Sequence, residues 1–412
     1  MPRTPGTPRW RTSSNLNHMT DLYSRRSFIA GVLTAGMLST AAGYLFTRRV
    51  PVTLTLVTGT DDTGGRTLLI KLWNTFHPDV TVEVVPVGNS TQDQYEKFVS
   101  TKADIYNLDI IHIPRFSGSG RITPIDAPDG ITLLPPVRRT CEIEGSTRLW
   151  AVPFNTDVGM LYRRIAAKGA RDLEPGLDAV IAGTRLFTGQ LSTEGTFTDE
   201  AFVVNVLEQA LAQDPTILDD RGTVSFNLGQ WQKALAPLAA AIYSRRVVVT
   251  AGETQTNEAF QRQGLRYMRN WPVYFPAIDR AEREKPGTAA IRLGALPIGI
   301  LGGQALAVAE DTRHRAEAEA VIQFLTGMPA QKLLATYGFA PTSVEAYNDP
   351  ELAATVPHLG KVRSAVERAH PRPMSAGYAA FSGIVRQHVY NYLYNRIQLG
   401  ENFVQSMQEA LR

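Results

Sequence analysis

The pattern of hydrophobic and polar positions past residue 50 switches between period two and period 3.6. Residues 52–59 alternate and are rich in β-branched side chains, which predicts a strand, and residues 66–78 carry apolar side chains at helical spacing before a proline. The two patterns return as a strand at 80–87, a helix at 90–102 and a strand at 108–114. Strands that alternate with helices in this way predict an α/β fold with a parallel sheet.

The remainder of the chain is richer in helical patterns. Two extended pieces are predicted within 149–164, around Pro153 and Asn155, and short strands are predicted on either side of the segment ILGG at 300–303. The spacing of apolar residues predicts mainly helical structure at 197–245, 314–336, 351–369 and 379–411.

A long uncharged segment lies near the start of the chain. Residues 27–46 carry no charge and would span ~30 Å as a helix, about the thickness of the hydrocarbon core of a bilayer. Arg25 and Arg26 precede the segment, and this order resembles the twin-arginine export signal. We expect residues 1–50 to be an export signal or an uncleaved membrane anchor. Both alternatives predict an extracytoplasmic protein, at the cell surface or in the periplasm.

Positive charge is concentrated in the same segment. The 412 residues include 42 Lys and Arg against 39 Asp and Glu, but residues 1–50 hold seven Arg and one acid. The rest of the chain is slightly acidic, so its charge gives no reason to expect a nucleic-acid partner. A single cysteine, Cys141, excludes an internal disulfide and a four-cysteine metal cluster.

Catalytic and cofactor motifs are missing from the sequence. The seven histidines show no metal-binding spacing, and the glycine-rich stretch at 59–66 lacks the spacing of dinucleotide-binding and phosphate-binding loops. We therefore expect no enzyme activity, no metal and no cofactor. The glycine-rich stretch does follow a strand, where α/β sheets hold ligands, so Asp61 is either a ligand-binding residue or part of a plain turn.

An aromatic segment gives the first indication of a ligand. RYMRNWPVYFP, at 266–276, combines four aromatic residues with Arg269 and Asn270, and Pro272 and Pro276 predict a loop rather than a regular helix. Aromatic rings stack on the apolar face of a sugar, while Arg and Asn supply directed hydrogen bonds in a mostly apolar cleft. The segment favours a sugar site, and a core position stays the alternative for each aromatic residue taken singly.

Several stretches, in this order, resemble a known family: the extracellular solute-binding proteins, family 1, of ABC importers, which includes maltose- and trehalose-binding proteins. The stretches are YNLDII, WAVPFNTDVGMLYRR, VVNVLEQAL, RYMRNWPVYFP, the run from GALPIGILGG to APTS, and RPMSAGYAAF. The resemblance covers about 52–412 and is weakest at 165–195. It implies the periplasmic-binding-protein type II fold, in which two α/β lobes joined by hinge crossovers close on a ligand.

The resemblance also implies the extent of each lobe and a site built from both. The first lobe would comprise 51–155 with about 303–340, and the second 156–302 with 341–412. Asn155, Thr156 and Asp157 would come from the crossover and cleft floor, and Asn270 and Trp271 from the second lobe. Gly302 and Gly303 would admit a ligand close to the backbone. Arg372 and the aromatic platform Tyr378 would come from the C-terminal region.

Three places depart from the pattern of the family. Gln304, also expected to bind the ligand, stands where many sugar binders have Trp, and STEG at 192–195 stands where they have Tyr-Glu-Gly. Arg115 follows the third strand, in a segment where relatives commonly have Thr-x-Glu-Phe. Because stacking faces and an acid are lost while a cation is gained, a polar or anionic sugar derivative becomes an alternative to a plain disaccharide.

The expected function is therefore that of the substrate-binding protein of an ABC importer, which captures a sugar or sugar derivative between two lobes and presents it to the permease. The expected partners are this small-molecule ligand, the transmembrane subunits of the permease and, through an uncleaved N-terminal segment, the membrane. We expect a monomer. An exported ligand-sensing or enzymatic protein on the same scaffold is the alternative.

Overall fold

A computed structural model describes residues 50–61, 63–88, 91–165, 187–190, 200–262, 265–284 and 290–412. The predicted export signal lies outside the described residues. Among those described, no helix is long and apolar enough to cross a membrane.

Twelve strands occur in the described ranges. They are β1 (Val52–Gly59), β2 (Val80–Val87), β3 (Ile105–Asp109), β4 (Ile122–Thr123), β5 (Val152–Val158), β6 (Met160–Ile165), β7 (Phe187–Gln190), β8 (Val247–Thr250), β9 (Tyr267–Asn270), β10 (Ala290–Ala295), β11 (Ile300–Ala309) and β12 (His370–Pro371).

The helices of the described ranges confirm most of the predicted helical segments. They are α1 (Gly65–Phe76), α2 (Thr91–Ser100), α3 (Ile113–Gly118), α4 (Pro135–Arg139), α5 (Glu200–Gln213), α6 (Leu228–Tyr243), α7 (Glu253–Arg262), α8 (Phe275–Arg283), α9 (Arg315–Thr326), α10 (Met328–Thr336), α11 (Val344–Asn348), α12 (Pro350–Thr355), α13 (Leu359–Glu367), α14 (Tyr378–Tyr394) and α15 (Glu401–Leu411).

The strands form two separate sheets. In the first, β1 pairs in parallel with β2 and β3, β3 pairs antiparallel with β11, and β11 also pairs with β4, β5 and β12. The second sheet has the order β10-β6-β9-β7-β8. The predicted α/β fold and the parallel pairing of its first three strands are confirmed.

The chain passes between the sheets at two glycines. β5 of the first sheet ends at Val158 and β6 of the second begins after Gly159, and the chain returns just after Gly299. A side chain at Gly159 would overlap the carboxylate of Glu208, and a Cβ at Gly299 would lie 2.5 Å from Cγ2 of Val158. The crossovers therefore pack closely because both positions lack a side chain. The lobe boundaries predicted at 155 and about 303 lie a few residues inside the strands of the first sheet.

Three predicted segments differ from the structure. The predicted strand at 108–114 ends at Asp109, because the Asp109 carboxylate accepts the N–H of Ile111 at 3.2 Å and starts a 3-10 turn that leads into α3. By contrast, the two extended pieces predicted within 149–164 are present as β5 and β6. Pro153 is tolerated within β5 because β5 pairs, among the described strands, on one side only.

The other two differences concern glycine and proline. The segment ILGG does not separate two strands but belongs to the single strand β11. The stretch at 266–276 is not a loop throughout: it forms β9, a 3-10 turn at Pro272–Tyr274 and the start of α8. Pro272 and Pro276 stand at the first turns of these two helical segments, where a missing N–H costs nothing.

Candidate functional site

The pairing of β5 with β11 brings six of the predicted site residues together. It sets Asp157 opposite Gly302, Thr156 opposite Gly303 and Asn155 opposite Gln304. Trp271, at the end of β9 in the second sheet, reaches the same place: a Cβ on Gly302 would lie 3.5 Å from Cβ of Asp157 and 3.8 Å from Cη2 of Trp271. Residues of both sheets thus meet at Gly302.

Gly303 is required by the contact between two strands. Its φ is +128°, and an added Cβ would lie 2.5 Å from the carbonyl oxygen of Asn155 and 2.7 Å from Cα of Thr156. The predicted close approach at Gly303 therefore exists, but the neighbouring backbone is that of β5. Thr156 is buried and donates its hydroxyl to the carbonyl of Gly302 at 3.2 Å, while Oδ1 of buried Asn155 has no hydrogen-bond partner among the described residues.

Trp271 is partly buried and held in a fixed orientation. Its indole Nε1 donates to Oε1 of Glu253 at 3.0 Å, its N–H donates to Oδ1 of Asn270 at 2.9 Å, and its carbonyl accepts the hydroxyl of Tyr162. Asn270 is fully buried, and its Nδ2 donates to the backbone oxygen of Glu253 at 3.0 Å. The structure thus shows Asn270 as a buried residue that positions Trp271.

A buried ion pair lies beneath the indole ring. The guanidinium carbon of Arg269 is 3.9 Å from the centroid of the Trp271 ring, a cation–π distance. Nε and Nη2 of Arg269 donate to the two carboxylate oxygens of Glu208 at 2.6 and 2.8 Å, and neither side chain is exposed. This bidentate geometry fixes the guanidinium plane, and therefore the surface on which Trp271 rests.

Asp157 lies on the same side of the β5–β11 pair as Trp271. Its Oδ1 accepts the N–H of Val158 at 3.0 Å. Burial raises the pKa of Asp157 to about 8, against the hydrogen bond from Val158 and the charge of Arg269, while Glu253 and Asp109 add to the rise. The carboxyl group therefore keeps its proton at neutral pH and can donate a hydrogen bond.

Arg372 and Tyr378 belong to a second buried cluster. Nη2 of Arg372 donates to Oδ1 of Asp109 at 2.8 Å, and Nη1 donates to Oε1 of Glu200 at 3.3 Å. The hydroxyl of Tyr378 and Oγ of Ser382 also donate to Glu200. Burial alone would lower the pKa of Arg372, but Asp109, Tyr378 and Glu200 raise it above its usual value, so Arg372 stays charged.

A pocket opens beside this cluster, and we call it the Glu200 pocket. One wall comes from α2 and from the turn and helix that follow β3, and the other from α5 and the start of α14. Its lining residues are Tyr95, Ile111, His112 and Arg115 on the first wall, and Glu200, Ala376, Tyr378, Ala379, Ser382 and Arg386 on the second.

Asp61 has the structural role of a helix cap. Its Oδ1 accepts from the hydroxyl of Thr63 at 2.9 Å and from the N–H of Gly64 at 3.0 Å, and its Oδ2 accepts from the N–H and hydroxyl of Thr67 at 2.8 and 2.9 Å. Burial would raise the pKa of Asp61, but these bonds from Thr67 and Thr63, with the charge of Arg66, lower it. The geometry favours the turn over a direct ligand contact.

Gln304 is also engaged within the protein. Its Oε1 accepts from Nη1 of Arg66 at 2.6 Å and from Nδ2 of Asn107 at 3.2 Å. Gln304 therefore fixes Arg66 next to the loop that follows β1. A larger aromatic side chain at position 304 would displace Arg66 from this place.

Several residues of the site were not found from the sequence. Asp109 ends β3 at the carboxyl edge of the sheet. Ligands of α/β sheets bind at this edge, which is the reason for considering Asp61, and the same rule could have found Asp109. Glu200, Glu208 and Glu253 lie on helices of the other sheet, and no local spacing links them to Arg372 or Trp271.

The sequence profile of the bacterial extracellular solute-binding proteins matches residues 60–332. The chain belongs to this family. A curated relative from Deinococcus radiodurans, described as a probable ABC transporter-binding protein, is 26% identical over 329 residues, which cover 71% of this chain and 76% of the relative.

Solved structures of similar fold include several sugar-binding proteins. MalE3 of T. maritima with bound maltose has a TM-score of 0.73 at 22% identity and covers 87% of this family member and 99% of its own chain. The GacH receptor of Streptomyces glaucescens, solved with acarbose, has a TM-score of 0.71 at 17% identity, with coverage of 88% and 99%. UgpB of Mycobacterium tuberculosis with glycerophosphocholine has a TM-score of 0.68 at 15% identity, with coverage of 87% and 97%.

These likenesses confirm the predicted two-lobed fold of the maltose-binding type. The family consists of extracellular proteins that bind solutes, and these structural neighbours are binding proteins rather than enzymes.

Proposed function

We propose that this protein is the extracytoplasmic solute-binding subunit of an ABC importer, and that it captures a sugar or sugar derivative in the cleft between its lobes. The observation that carries the proposal is the setting of Trp271. Its indole is fixed by Glu253 from one side and by Arg269 from beneath, and it shares a surface with Asp157 and Gly302 of the other sheet.

These groups suit the chemistry of a sugar. A fixed aromatic face stacks on the apolar side of a pyranose ring, and a few polar groups set its orientation. Protonated Asp157 would donate to a hydroxyl group, and the unpartnered Oδ1 of Asn155 would accept from another. Gly302 leaves the space between Asp157 and Trp271 free of a side chain.

In this proposal the remaining predicted residues support the site without contacting the ligand. Asn270 positions Trp271, Gly303 lets β11 approach β5, and Asp61 caps the helix beside Arg66 and Gln304. Arg372 and Tyr378 hold Glu200 at the edge of the pocket.

The lobes of the proposal close about the two crossovers. The first lobe contains 51–155 with about 303–340, and the second contains 156–302 with 341–412. Gly159 and Gly299, the latter packed against Val158 and Gly159, would serve as the hinge. Closure would present the ligand to the transmembrane subunits of the permease, without catalysis and without a cofactor, and as a monomer.

Export by the twin-arginine route completes the proposal. Arg25 and Arg26 ahead of the uncharged segment support it, and the segment would afterwards be removed or kept as an anchor.

A thermal-shift screen of residues 50–412 tests the binding function. The panel contains glucose, maltose, trehalose, glucuronate and glucose 6-phosphate. A ligand at a hundredfold excess over Kd stabilises the folded state by ~2.7 kcal/mol, which raises the melting temperature measurably. No shift with any carbohydrate of this panel, extended to further mono- and disaccharides, would contradict the proposed function.

A further inference from the structure

The Glu200 pocket lies where residues of the first sheet face helices of the second. Arg372 binds both Glu200 and Asp109, and Asp109 stands opposite Gln304 of β11. The pocket is therefore connected, through Arg372 and Asp109, to the strand that carries Gly302 beside Trp271.

His112 is a buried residue of this pocket, and one of its ring nitrogens has no hydrogen-bond partner among the described residues. Its side chain is 7% exposed, and its Nε2 has no hydrogen-bond partner among the described residues. Burial lowers the pKa of His112 to about 4, with Arg372 and Arg115 acting in the same direction and Asp109 against it. The ring is neutral at pH 7, and in the tautomer with the hydrogen on Nε2 it can donate a hydrogen bond to a ligand.

Two arginines stand at the mouth of the pocket. Arg115 is exposed, its guanidinium carbon lies 3.7 Å from the centroid of the Tyr95 ring, and no carboxylate of the described residues lies within ion-pair distance of it. Arg386 donates to the hydroxyl of Ser382 at 3.0 Å and lies 4.0 Å from Oε2 of Glu200. Both guanidinium groups retain N–H donors for a ligand.

Glu200 brings a negative charge into the same wall, but its oxygens are already used. Oε1 accepts from Arg372 and from Tyr378, and Oε2 accepts from Ser382 at 2.7 Å. Arg372 forms ion pairs with both Glu200 and Asp109. Together with Arg115 and Arg386 it makes three positive charges against these two negative ones, so the pocket has an excess of positive charge. The groups left for a ligand are donors.

The start of α14 adds to this positive end. The helix has 17 residues, and no side chain caps its N-terminus, where Tyr378 and Ala379 line the pocket. The N–H groups of Tyr378 and Ala380 are bonded to the carbonyls of Ser375 and Gly377, so the contribution of this helix end is its dipole, which favours an anion.

We infer that the Glu200 pocket binds a carboxylate or phosphate carried by the sugar ligand, with Arg115 and Arg386 as its cationic contacts and His112 as a neutral donor. This inference rests on the proposed function and narrows its substrate class to anionic sugar derivatives. Guanidinium groups bind both kinds of anion through paired N–H donors, so the chemistry shared by the two is the terminal oxyanion.

Isothermal titration calorimetry with glucuronate, glucose 6-phosphate and glucose tests the inference. We expect the carboxylate or the phosphate to bind at least about tenfold more tightly than glucose, and the better of the two identifies the anion. Arg115→Gln and Arg386→Gln should each weaken that binding by about tenfold or more, the size of a lost charged hydrogen bond. Both should leave the affinity for glucose unchanged.

The matched control is Arg283→Gln, since Arg283 is 75% exposed on α8 and pairs with Asp279 away from the pocket. It should change none of the three affinities. Arg115 is exposed, so its variant folds even where Arg386→Gln does not. Glucose binding equal to that of the anions, or an affinity for the anion that both pocket variants preserve, would overturn the inference and leave sugar capture intact. No binding of these or any other carbohydrate would overturn the proposed function and the inference together.

Discussion

Arg269 supports Trp271 from below: its guanidinium carbon lies 3.9 Å from the centroid of the indole ring, while its nitrogens bind both carboxylate oxygens of Glu208. Both members of the ion pair are fully buried. The pair therefore connects the stability of the second lobe with the orientation of the proposed ligand platform.

Glu208→Gln should destabilise the protein strongly. The substitution keeps the shape of the side chain but removes the carboxylate charge that binds Arg269, and breaking a buried ion pair costs ~3–5 kcal/mol. Urea unfolding of residues 50–412 measures the loss. The control is Glu367→Gln in the partly exposed pair with Arg363, which should cost at most ~1 kcal/mol. Equal losses in the two variants would contradict the role given to Glu208.

Asp157→Asn should weaken the pH dependence of stability. Between the ordinary pKa of 3.8 and the folded value of about 8, folded Asp157 keeps a proton that the unfolded chain has released. The folded state then binds more protons, so the free energy of unfolding falls as pH rises through this window. Denaturant unfolding at pH 5.5 and 8.5 should show a smaller fall in the variant than in the original protein.

Asp126→Asn is the control for this experiment, because its carboxylate is 80% exposed. It should leave the pH dependence as it was. An unchanged slope in Asp157→Asn would show that Asp157 is ionised at neutral pH in the folded protein.

Gly303→Ala should be destabilising by more than ~1 kcal/mol. An alanine would have to adopt a φ of +128°, and its Cβ would meet the carbonyl oxygen of Asn155 at 2.5 Å, so β11 would have to move away from β5. Gly360→Ala is the matched control: Gly360 lies in α13 with nothing within 4 Å of an added Cβ, and alanine should stabilise it by ~0.5–1 kcal/mol. Thermal unfolding measures the stability of both variants. An unchanged stability in Gly303→Ala would contradict the packing argument.

Replacement of Arg25 and Arg26 by lysine should block export. The twin-arginine pathway reads the arginine pair itself, so the full-length variant should accumulate in the cytoplasm. Cell fractionation followed by immunoblotting measures the distribution, with Arg48→Lys and Arg49→Lys on the far side of the segment as the control. Normal delivery of the Arg25 and Arg26 variant would exclude this route.

The fold could be predicted where local pattern and burial agree. The alternation at 52–59 and 80–87 predicts strands and the apolar spacing between them predicts a helix, and the structure has these elements. The sequence misled where a distant strand decides. Gly302 and Gly303 belong to one continuous strand because β5 and β3 pair with it, and these partners come from other parts of the chain.

The site was predictable in its backbone positions more than in its side chains. Asn155 to Asp157 and Trp271 stand where the two sheets meet, which the resemblance implied. The partners that orient them were not predictable, since Glu208 is 61 residues away from Arg269, and a carboxylate on a helix shows no sign of its partner in the sequence. The structure also supplied the partners of Asn270, which positions Trp271, and of Asp61, which caps α1.

The most direct test of sugar capture is a paired measurement on Trp271→Ala. An aromatic side chain that anchors a ligand in a desolvated site costs at least ~2 kcal/mol of binding when it is truncated, a loss of roughly thirtyfold in affinity. Trp231, which is fully buried against Phe403, supplies the contrast, because a core Trp→Ala costs ~3–5 kcal/mol of stability.

The measurement is the affinity of Trp271→Ala for the strongest carbohydrate of the thermal-shift panel, by calorimetry, beside the melting temperature of the unliganded variant. The account predicts an affinity at least about thirtyfold weaker, with a melting temperature lowered far less than in Trp231→Ala. A large drop in the unliganded melting temperature with the affinity intact would make Trp271 a core residue and contradict the proposed site.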